Sequence, residues 1–334
     1  MLEYTIQNKV NLLTKNFEEL KEVDGSWQMG MLQHSCALSL AIKNKYADYT
    51  KIEECIKIIK KNTGIFSIFR GNNLFYTATL LSTKVDIDRS FNEILEIHKK
   101  LKEKKFWNDE YLPFVANIIY ENKDKIDLDE CIDKMKYTYD FMKKHHPFLT
   151  SSDDYCRIAL IAIYSKDLDN DLEYIEKCYE YLSYNGFVKS NNLQALSHIM
   201  CFNKNKTEEG LKRLIEIKKI LKEHDCKLDG YGYPLIGGIS LLDCNEEELI
   251  KNIKDTSEKL KEVKGFGNWR LGKNNRNMIS ASIVASSYAD YLQEESNLDI
   301  ISNNIFLEIV IAIEIACTVA MISAVSASAA SSTN

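Results

Sequence analysis

Two adjacent aspartates, Asp153 and Asp154, are the residues of this chain best placed for proton transfer. They follow Ser151 and Ser152 and directly precede an apolar segment that begins at Tyr155. A carboxylate in such a loop could act as a general acid or base, or could orient a partner group. The alternative is that these residues cap a helix, because Ser and Asp before a helix satisfy its free N–H groups. Both interpretations stay open at the level of sequence.

Cationic, amide and aromatic side chains occur in other short segments of the same kind, each ahead of an apolar segment. Helix capping does not require an arginine or a lysine, so these side chains are candidates for contacts to an anion at helix N-termini. The candidate ligand-binding residues are Arg70, Asn73, Trp269, Arg270, Lys273 and Arg276. The competing interpretation is again a set of ordinary caps and of aromatic residues that plug a helical hairpin.

No pattern in the chain is typical of a metal or cofactor site. Asp167, Asp169 and Asp171 imitate the start of a calcium loop, but its sixth position is leucine and its twelfth is cysteine. There is no CxxC, HExxH or P-loop. His34 and His198 lie in apolar segments, where a hydrogen-bonded core histidine is a simpler interpretation than a ligand. We therefore expect neither a metal nor a cofactor.

An internal repeat predicts the elements that position these residues. Small apolar segments recur 36 to 43 residues apart, and a spacing of about 40 fits two helices and two turns. The centres of these segments are Ala37, Ala78, Ala116, Ala159, Ala195, Gly238 and Ala281. The sequence therefore predicts about seven helical hairpins of roughly 40 residues each.

The charged segments between the apolar ones have a single apolar stripe, as in IEECIKIIKK and EEGLKRLIEIKKILKEH. That pattern is typical of a helix with one face in solvent, so we expect an inner layer of apolar helices and an outer layer of charged ones. The fold is then all-α, either an open α/α solenoid or a closed α/α toroid. In both, the loops that precede the inner helices share one rim.

Residues 1–323 are predicted to form a single helical-repeat domain, followed by a frayed Ala/Ser-rich tail at 324–334. Lys and Arg number 43 against 49 Asp and Glu, a net charge of −6 without a basic stripe, so a nucleic-acid partner is not expected. The nine cysteines are scattered, mostly on apolar helical faces, which is typical of reduced thiols in a cytoplasmic protein.

The C-terminal apolar segment, residues 309–330, has the composition closest to that of a membrane span. Glu314 lies within it, Glu308 lies beside it, and no Lys or Arg flanks it. Acidic residues are costly at bilayer depth, and a span normally has flanking cations. We therefore predict a buried final helix and no membrane partner.

Three blocks carry a resemblance to a known family: FLTSSDDYCRIALIAI, FRGNNLFYTATLLS and GNWRLGKNNRNMISASIVASS. Over essentially its whole length the chain resembles a bacterial family catalogued as a domain of unknown function and numbered four-thousand-and-three. The TSSDDY block is the most specific part. The resemblance implies a bacterial cytoplasmic helical protein, and it supplies no activity, substrate or catalytic residue.

Two functions from different classes fit these observations. The first is a non-catalytic binding or scaffold protein for a peptide, a protein or a small anionic molecule, because catalytic motifs are missing and stacked hairpins often serve recognition. The alternative is an α/α-toroid enzyme of the hydrolase or lyase type, with a rim pocket that uses Asp153 or Asp154 together with Arg70 and Arg270. The sequence favours the first.

Overall fold

The computed structural model describes residues 1–25, 30–203 and 206–295. In these residues the chain forms 14 α-helices and no strand, which confirms the all-α prediction. No helix in this part of the chain is both long and apolar enough to cross a membrane. The predicted final helix at 309–330, the tail at 324–334 and Cys317 lie outside the described residues.

Long charged helices alternate with mostly shorter apolar ones along the chain. The charged helices are α1 (Leu2–Lys21), α3 (Tyr49–Asn62), α5 (Ile87–Glu103), α7 (Leu128–His145), α9 (Leu168–Tyr184), α11 (Glu208–Glu223) and α13 (Glu246–Lys261). The apolar helices are α2 (Met31–Ile42), α4 (Asn72–Leu81), α6 (Leu112–Glu121), α8 (Tyr155–Tyr164), α10 (Asn191–Met200), α12 (Tyr233–Ser240) and α14 (Lys273–Glu295).

Polar caps set the starts of several charged helices. Asp48, Asp86, Asp127 and Asn245 each accept a hydrogen bond from the backbone N–H three residues further along the chain. Lysines occupy the last turns of α3, α5 and α7, where a cation interacts favourably with the helix dipole. Each of these helices is therefore acidic where it begins and basic where it ends.

The chain divides into two compact units. Unit 1 comprises Met1–Thr14, Ala41–Asn44 and the described residues from Glu173 onward, and unit 2 comprises Lys15–Leu40 and Lys45–Leu172. The interpretation of residues 1–323 as a single domain stays a prediction, as do the number of repeats and the choice between solenoid and toroid.

The apolar helices stack on one another within each unit. In unit 2, α4 packs against α6 and α6 against α8, and each of them also packs against the charged helix that precedes it. In unit 1, α10 packs against α12 and α12 against α14, while α11 and α13 pack against α12 and α14 respectively. Every residue of α12 is buried, as expected for an inner helix.

A buried lysine holds the first helix in unit 1. Lys9 is almost completely buried, and its Nζ donates to the carbonyl oxygen of Ile42 over 2.8 Å. The same Nζ lies 3.0 Å from Asp290 Oδ2 on α14. The cation thus ties α1 to the end of α2 and to α14.

A glycine allows α10 and α12 to approach closely. A Cβ atom on Gly237 would lie 2.8 Å from Leu196 Cδ1 and 3.2 Å from Ile199 Cγ2, shorter than ordinary carbon contacts. The close packing of α10 and α12 in unit 1 therefore requires a glycine at this position.

We predict that Gly237→Val lowers the free energy of unfolding by about 1–3 kcal/mol, because the added methyl groups overpack the interface between α10 and α12. Thermal and denaturant unfolding measure the change. Gly64→Val is the control, since nothing lies within 4 Å of a Cβ atom there, and it should have little effect. Equal destabilisation by both substitutions would contradict the packing explanation.

Candidate functional site

Asp154 lies at the start of α8, where both of its carboxylate oxygens accept hydrogen bonds. The Ser151 backbone N–H donates to Oδ2 over 3.0 Å, and Arg157 Nη2 donates to Oδ1 over 2.7 Å. Ser151 and Asp154 also form a reciprocal capping box. Only 2% of the Asp154 side chain and 4% of the Arg157 side chain are exposed, so this is a buried ion pair.

Asp153 contacts the same arginine more weakly. Its Oδ2 lies 3.5 Å from Arg157 Nη2, its Oδ1 accepts a hydrogen bond from the Ser151 hydroxyl, and its side chain is partly exposed. Burial alone would lower the pKa of Arg157, but Asp154 and Asp153 raise it above its ordinary value. The structure brings the two predicted aspartates together around Arg157. This arginine was not predicted from the sequence as part of the site. Its spacing from Asp154, three residues on one helical face, was the available signal.

Arg70 and Asn73 stabilise the loop between α3 and α4. Arg70 Nη2 donates to the carbonyl oxygens of Lys60 and Thr63, each over 2.7 Å, and so closes the end of α3. Asn73 is buried, and its Nδ2 donates to the Ile68 carbonyl oxygen over 2.9 Å. These two side chains bind carbonyl oxygens at the end of α3 and in the loop that follows, and their role in ligand binding stays a prediction.

Arg276 and Lys273 have partners near the start of α14. Arg276 is almost fully buried, and its Nη1 donates to the Phe266 carbonyl oxygen over 3.3 Å and to Asn268 Oδ1 over 2.8 Å. Lys273 forms an ion pair with Asp225 on the neighbouring loop. Arg276 therefore stabilises the loop that precedes α14. Lys273 joins the start of α14 to the loop between α11 and α12.

Trp269 and Arg270 are exposed at the tip of the loop between α13 and α14. The adjacent loop, between α11 and α12, is bonded to the same helix, because Asn277 Nδ2 donates to the Lys227 carbonyl oxygen over 3.4 Å. The structure therefore brings the predicted residues of the 269–276 block to the same edge of unit 1 as the α11–α12 loop.

A cavity of about 270 Å³ opens beside the α11–α12 loop in unit 1. Its wall combines apolar side chains with three lysines and one aspartate: Lys218, Leu221, Lys222, Lys227, Leu228, Asp229 and Ile236. The formal charge of the wall is therefore 3 − 1 = +2. The lining lysines and aspartate were not among the residues selected from the sequence.

Lys218 is the lysine of that wall whose ammonium contacts aromatic rings. Its Nζ lies 3.8 Å from the centre of the Phe187 ring and 5.2 Å from that of Tyr233, and it donates to the Gly186 carbonyl oxygen over 2.7 Å. Burial lowers the pKa of Lys218, and the charge of Asp229 opposes that shift. An ammonium group close to two aromatic rings is held in place by cation–π attraction, so its position in the wall is defined.

The loops that precede inner helices are joined by aromatic contacts in each unit. In unit 2, the ring centres of Phe106 and Tyr155 are 5.0 Å apart, and the Trp107 backbone N–H donates to the Tyr155 hydroxyl over 3.2 Å. In unit 1, the ring centres of Phe187 and Tyr233 are also 5.0 Å apart. Within a unit, successive loops therefore lie side by side.

The remaining candidates for chemistry are buried. Within the described ranges, no group of three or more His, Cys, Asp or Glu side chains has an arrangement that could hold a metal ion. His34 and His198 lie in the interior on α2 and α10. The described cysteines are buried apart from the partly exposed Cys244, and burial raises the pKa of Cys36 and Cys156 to about 12. Such thiols stay protonated near neutral pH.

Comparison with known proteins identifies the family. The profile of the family described as "Protein of unknown function (DUF4003)" matches residues 16–316. The chain belongs to this family. It is also 25% identical over 296 residues to "Uncharacterized protein YeaA" of Bacillus subtilis (strain 168), and the match covers 87% of this chain and 88% of that protein. No solved structure matches the chain at a significant level. The resemblance seen in the sequence is confirmed, and neither description states an activity.

We predict that Asp154→Ala lowers the free energy of unfolding by about 3–5 kcal/mol, because it leaves the Arg157 guanidinium buried without its counter-ion. Asp153→Ala should cost about 1 kcal/mol or less, since its contact is longer and partly exposed. Urea unfolding monitored by circular dichroism measures both values.

The double variant Asp154→Leu/Arg157→Met serves as the control, because it removes both charges. It should be more stable than Asp154→Ala alone. If Asp154→Ala unfolds at the same denaturant concentration as the wild type, the ion pair does not stabilise unit 2.

Proposed function

We propose that this chain is a non-catalytic helical-repeat binding protein, and that it recognises a small anionic molecule in the cavity of unit 1. The observation that carries the proposal is the composition of the cavity wall, where Lys218, Lys222 and Lys227 face a space of about 270 Å³. A carboxylate or phosphate group would gain charge-assisted hydrogen bonds from these amines.

The three lysines differ in what the fold requires of them. Lys218 is held by Gly186, Phe187 and Tyr233, so its ammonium is positioned before any ligand arrives. Lys222 and Lys227 have exposed side chains and can adapt to the ligand. The combination of one fixed cation and two adaptable ones suits a multiply charged anion.

The apolar part of the wall supports a small organic ligand. Leu221, Leu228 and Ile236 line the same cavity, so a molecule with a short carbon skeleton could bury it there while its charged groups reach the lysines. Trp269 and Arg270, exposed on the neighbouring loop, are candidate contacts for a larger ligand.

The alternative, a toroid enzyme of the hydrolase or lyase type, has weaker support. Asp154 would have to give up either its cap or its ion pair with Arg157 before it could transfer a proton. Asp153 is the better placed of the two, because its side chain is partly exposed. Arg70 is bound to two carbonyl oxygens and lies on another loop.

We predict that Lys222→Gln/Lys227→Gln weakens the binding of citrate and of pyrophosphate at least about 100-fold, because each of the two lost cations removes about 1.5–3 kcal/mol of charge-assisted hydrogen bonding. Isothermal titration calorimetry of the full chain at low salt measures the affinity. Both side chains are exposed, so the melting temperature should stay close to that of the wild type.

The matched control is Lys212→Gln/Lys219→Gln, which removes the same charge from exposed positions on α11 that pair with Glu208 and Glu216. It should leave citrate binding unchanged. Equal loss in both double variants would mean that net charge alone attracts the anion, and absence of binding to the wild type would contradict the proposal.

We also predict that citrate binding weakens at alkaline pH, below the range in which an ordinary lysine loses its proton. The lowered pKa of Lys218 means that its ammonium is lost first, while citrate keeps a constant charge over this range. Lys218→Met lacks this ammonium at every pH, so its weaker binding should change less. A parallel pH dependence in both proteins would exclude Lys218 as the titrating contact.

A further inference from the structure

Unit 2 displays a row of large apolar side chains on three successive loops. Phe66 is 95% exposed, Trp107 is 73% exposed and Phe148 is 96% exposed, each three or four residues after the end of a charged helix. Ile65, beside Phe66, is also exposed. We name these four residues the aromatic edge. Large exposed apolar side chains that lie on one edge of a protein usually mark an interaction site.

The aromatic edge is separate from the residues that close the hairpins. In the loop after α3, Phe69 is buried and packs on Phe91, whereas Phe66 is exposed. In the loop after α5, Phe106 is buried, whereas Trp107, its neighbour, is exposed. Packing in the interior therefore explains Phe69 and Phe106. It does not explain Phe66 and Trp107, whose side chains are exposed.

A chain of contacts places the three loops side by side. Phe69, in the first loop, packs on the His98 ring with centres 5.0 Å apart, and His98 Nε2 is hydrogen-bonded to Asn108 Oδ1 in the second loop over 2.9 Å. The Trp107 N–H, also in the second loop, reaches the hydroxyl of Tyr155 at the end of the third. The exposed side chains thus belong to one edge of unit 2.

Cations accompany the apolar side chains at this edge. Lys60 and Lys61 lie in the last turn of α3, Lys105 follows α5, and Lys144 lies in the last turn of α7, all with exposed side chains. Among the acidic residues near these loops, Glu103 is exposed and Asp109, Glu110 and Asp153 are partly exposed. The capping aspartates of the charged helices lie at the other ends of those helices, away from these lysines.

We propose that the aromatic edge docks unit 2 on the surface of an anionic lipid bilayer, with Phe66, Trp107 and Phe148 inserted at the headgroup level. Tryptophan and phenylalanine are favoured in that region, where a ring needs no preformed pocket. Lysines on the same edge would meet anionic headgroups. These side chains project from separate loops and are mostly exposed, which suits insertion into a bilayer surface. A protein partner would need a matching pocket for each ring.

This proposal concerns peripheral contact by loops of unit 2. It does not depend on the cavity of unit 1, and it differs from the membrane-spanning role that was considered for residues 309–330. The expectation of no membrane partner came from the sequence, in which the exposure of these rings is not visible.

The test is co-sedimentation of the full chain with vesicles of phosphatidylcholine alone and of phosphatidylcholine with about 30% phosphatidylserine. We expect binding to the anionic vesicles that weakens with salt, because part of the attraction is electrostatic. Phe66→Ser/Phe148→Ser should reduce that binding at least about tenfold, since each substitution withdraws a ring from the interface. Lys60→Gln/Lys61→Gln should reduce it less and should lessen the salt dependence.

The matched control is Tyr46→Ser/Val85→Ser, which removes two comparably exposed apolar side chains from the opposite edge of the same unit. It should bind anionic vesicles like the wild type, with an unchanged melting temperature in all variants. Vesicle binding that survives Phe66→Ser/Phe148→Ser overturns the proposal, because another segment is then responsible. Absence of wild-type binding to both kinds of vesicle also overturns it and favours a protein partner for the aromatic edge.

Discussion

Much of the architecture depends on the burial of one phenylalanine in the loop between a charged helix and the inner helix that follows it. Phe69, Phe106, Phe187 and Phe266 have this role in their loops and are at most 5% exposed. Burying such a ring contributes about 1.5–3 kcal/mol. Because the ring must reach the space between neighbouring helices, it determines the path of its loop. The remaining loop residues are arranged around that requirement.

The fixed loop path explains why most of the predicted ligand contacts are already bonded. A loop that turns from one helix to the next leaves backbone carbonyl and N–H groups exposed to the interior, and each must find a partner. Arg70, Asn73 and Arg276 donate to loop oxygens, and Asp154 accepts from the Ser151 N–H. Arg70 and Arg276 therefore stabilise the conformation of their loops, in addition to any role in binding.

The order and type of the helices could be predicted from the sequence, because both depend on local periodicity and on caps within a few residues. The start at Asp48 and the apolar character of α8 are examples. The cavity could not be predicted in the same way. Its lysines lie on α11 and on the loop after it, and Lys218 is positioned by Phe187, 31 residues earlier, and Tyr233, 15 residues later. No local pattern connects those three positions.

The sequence by itself determined that the chain is helical, that apolar and charged helices alternate, and which family it belongs to. Those properties follow from short-range spacing of side chains. The tertiary structure decided which loop residues are buried and which are exposed. Phe69 and Phe66 are the same residue type three positions apart, yet one lies in the interior and the other in solvent. Only the packing of neighbouring helices distinguishes them, because the space that receives a ring is formed by residues distant in sequence.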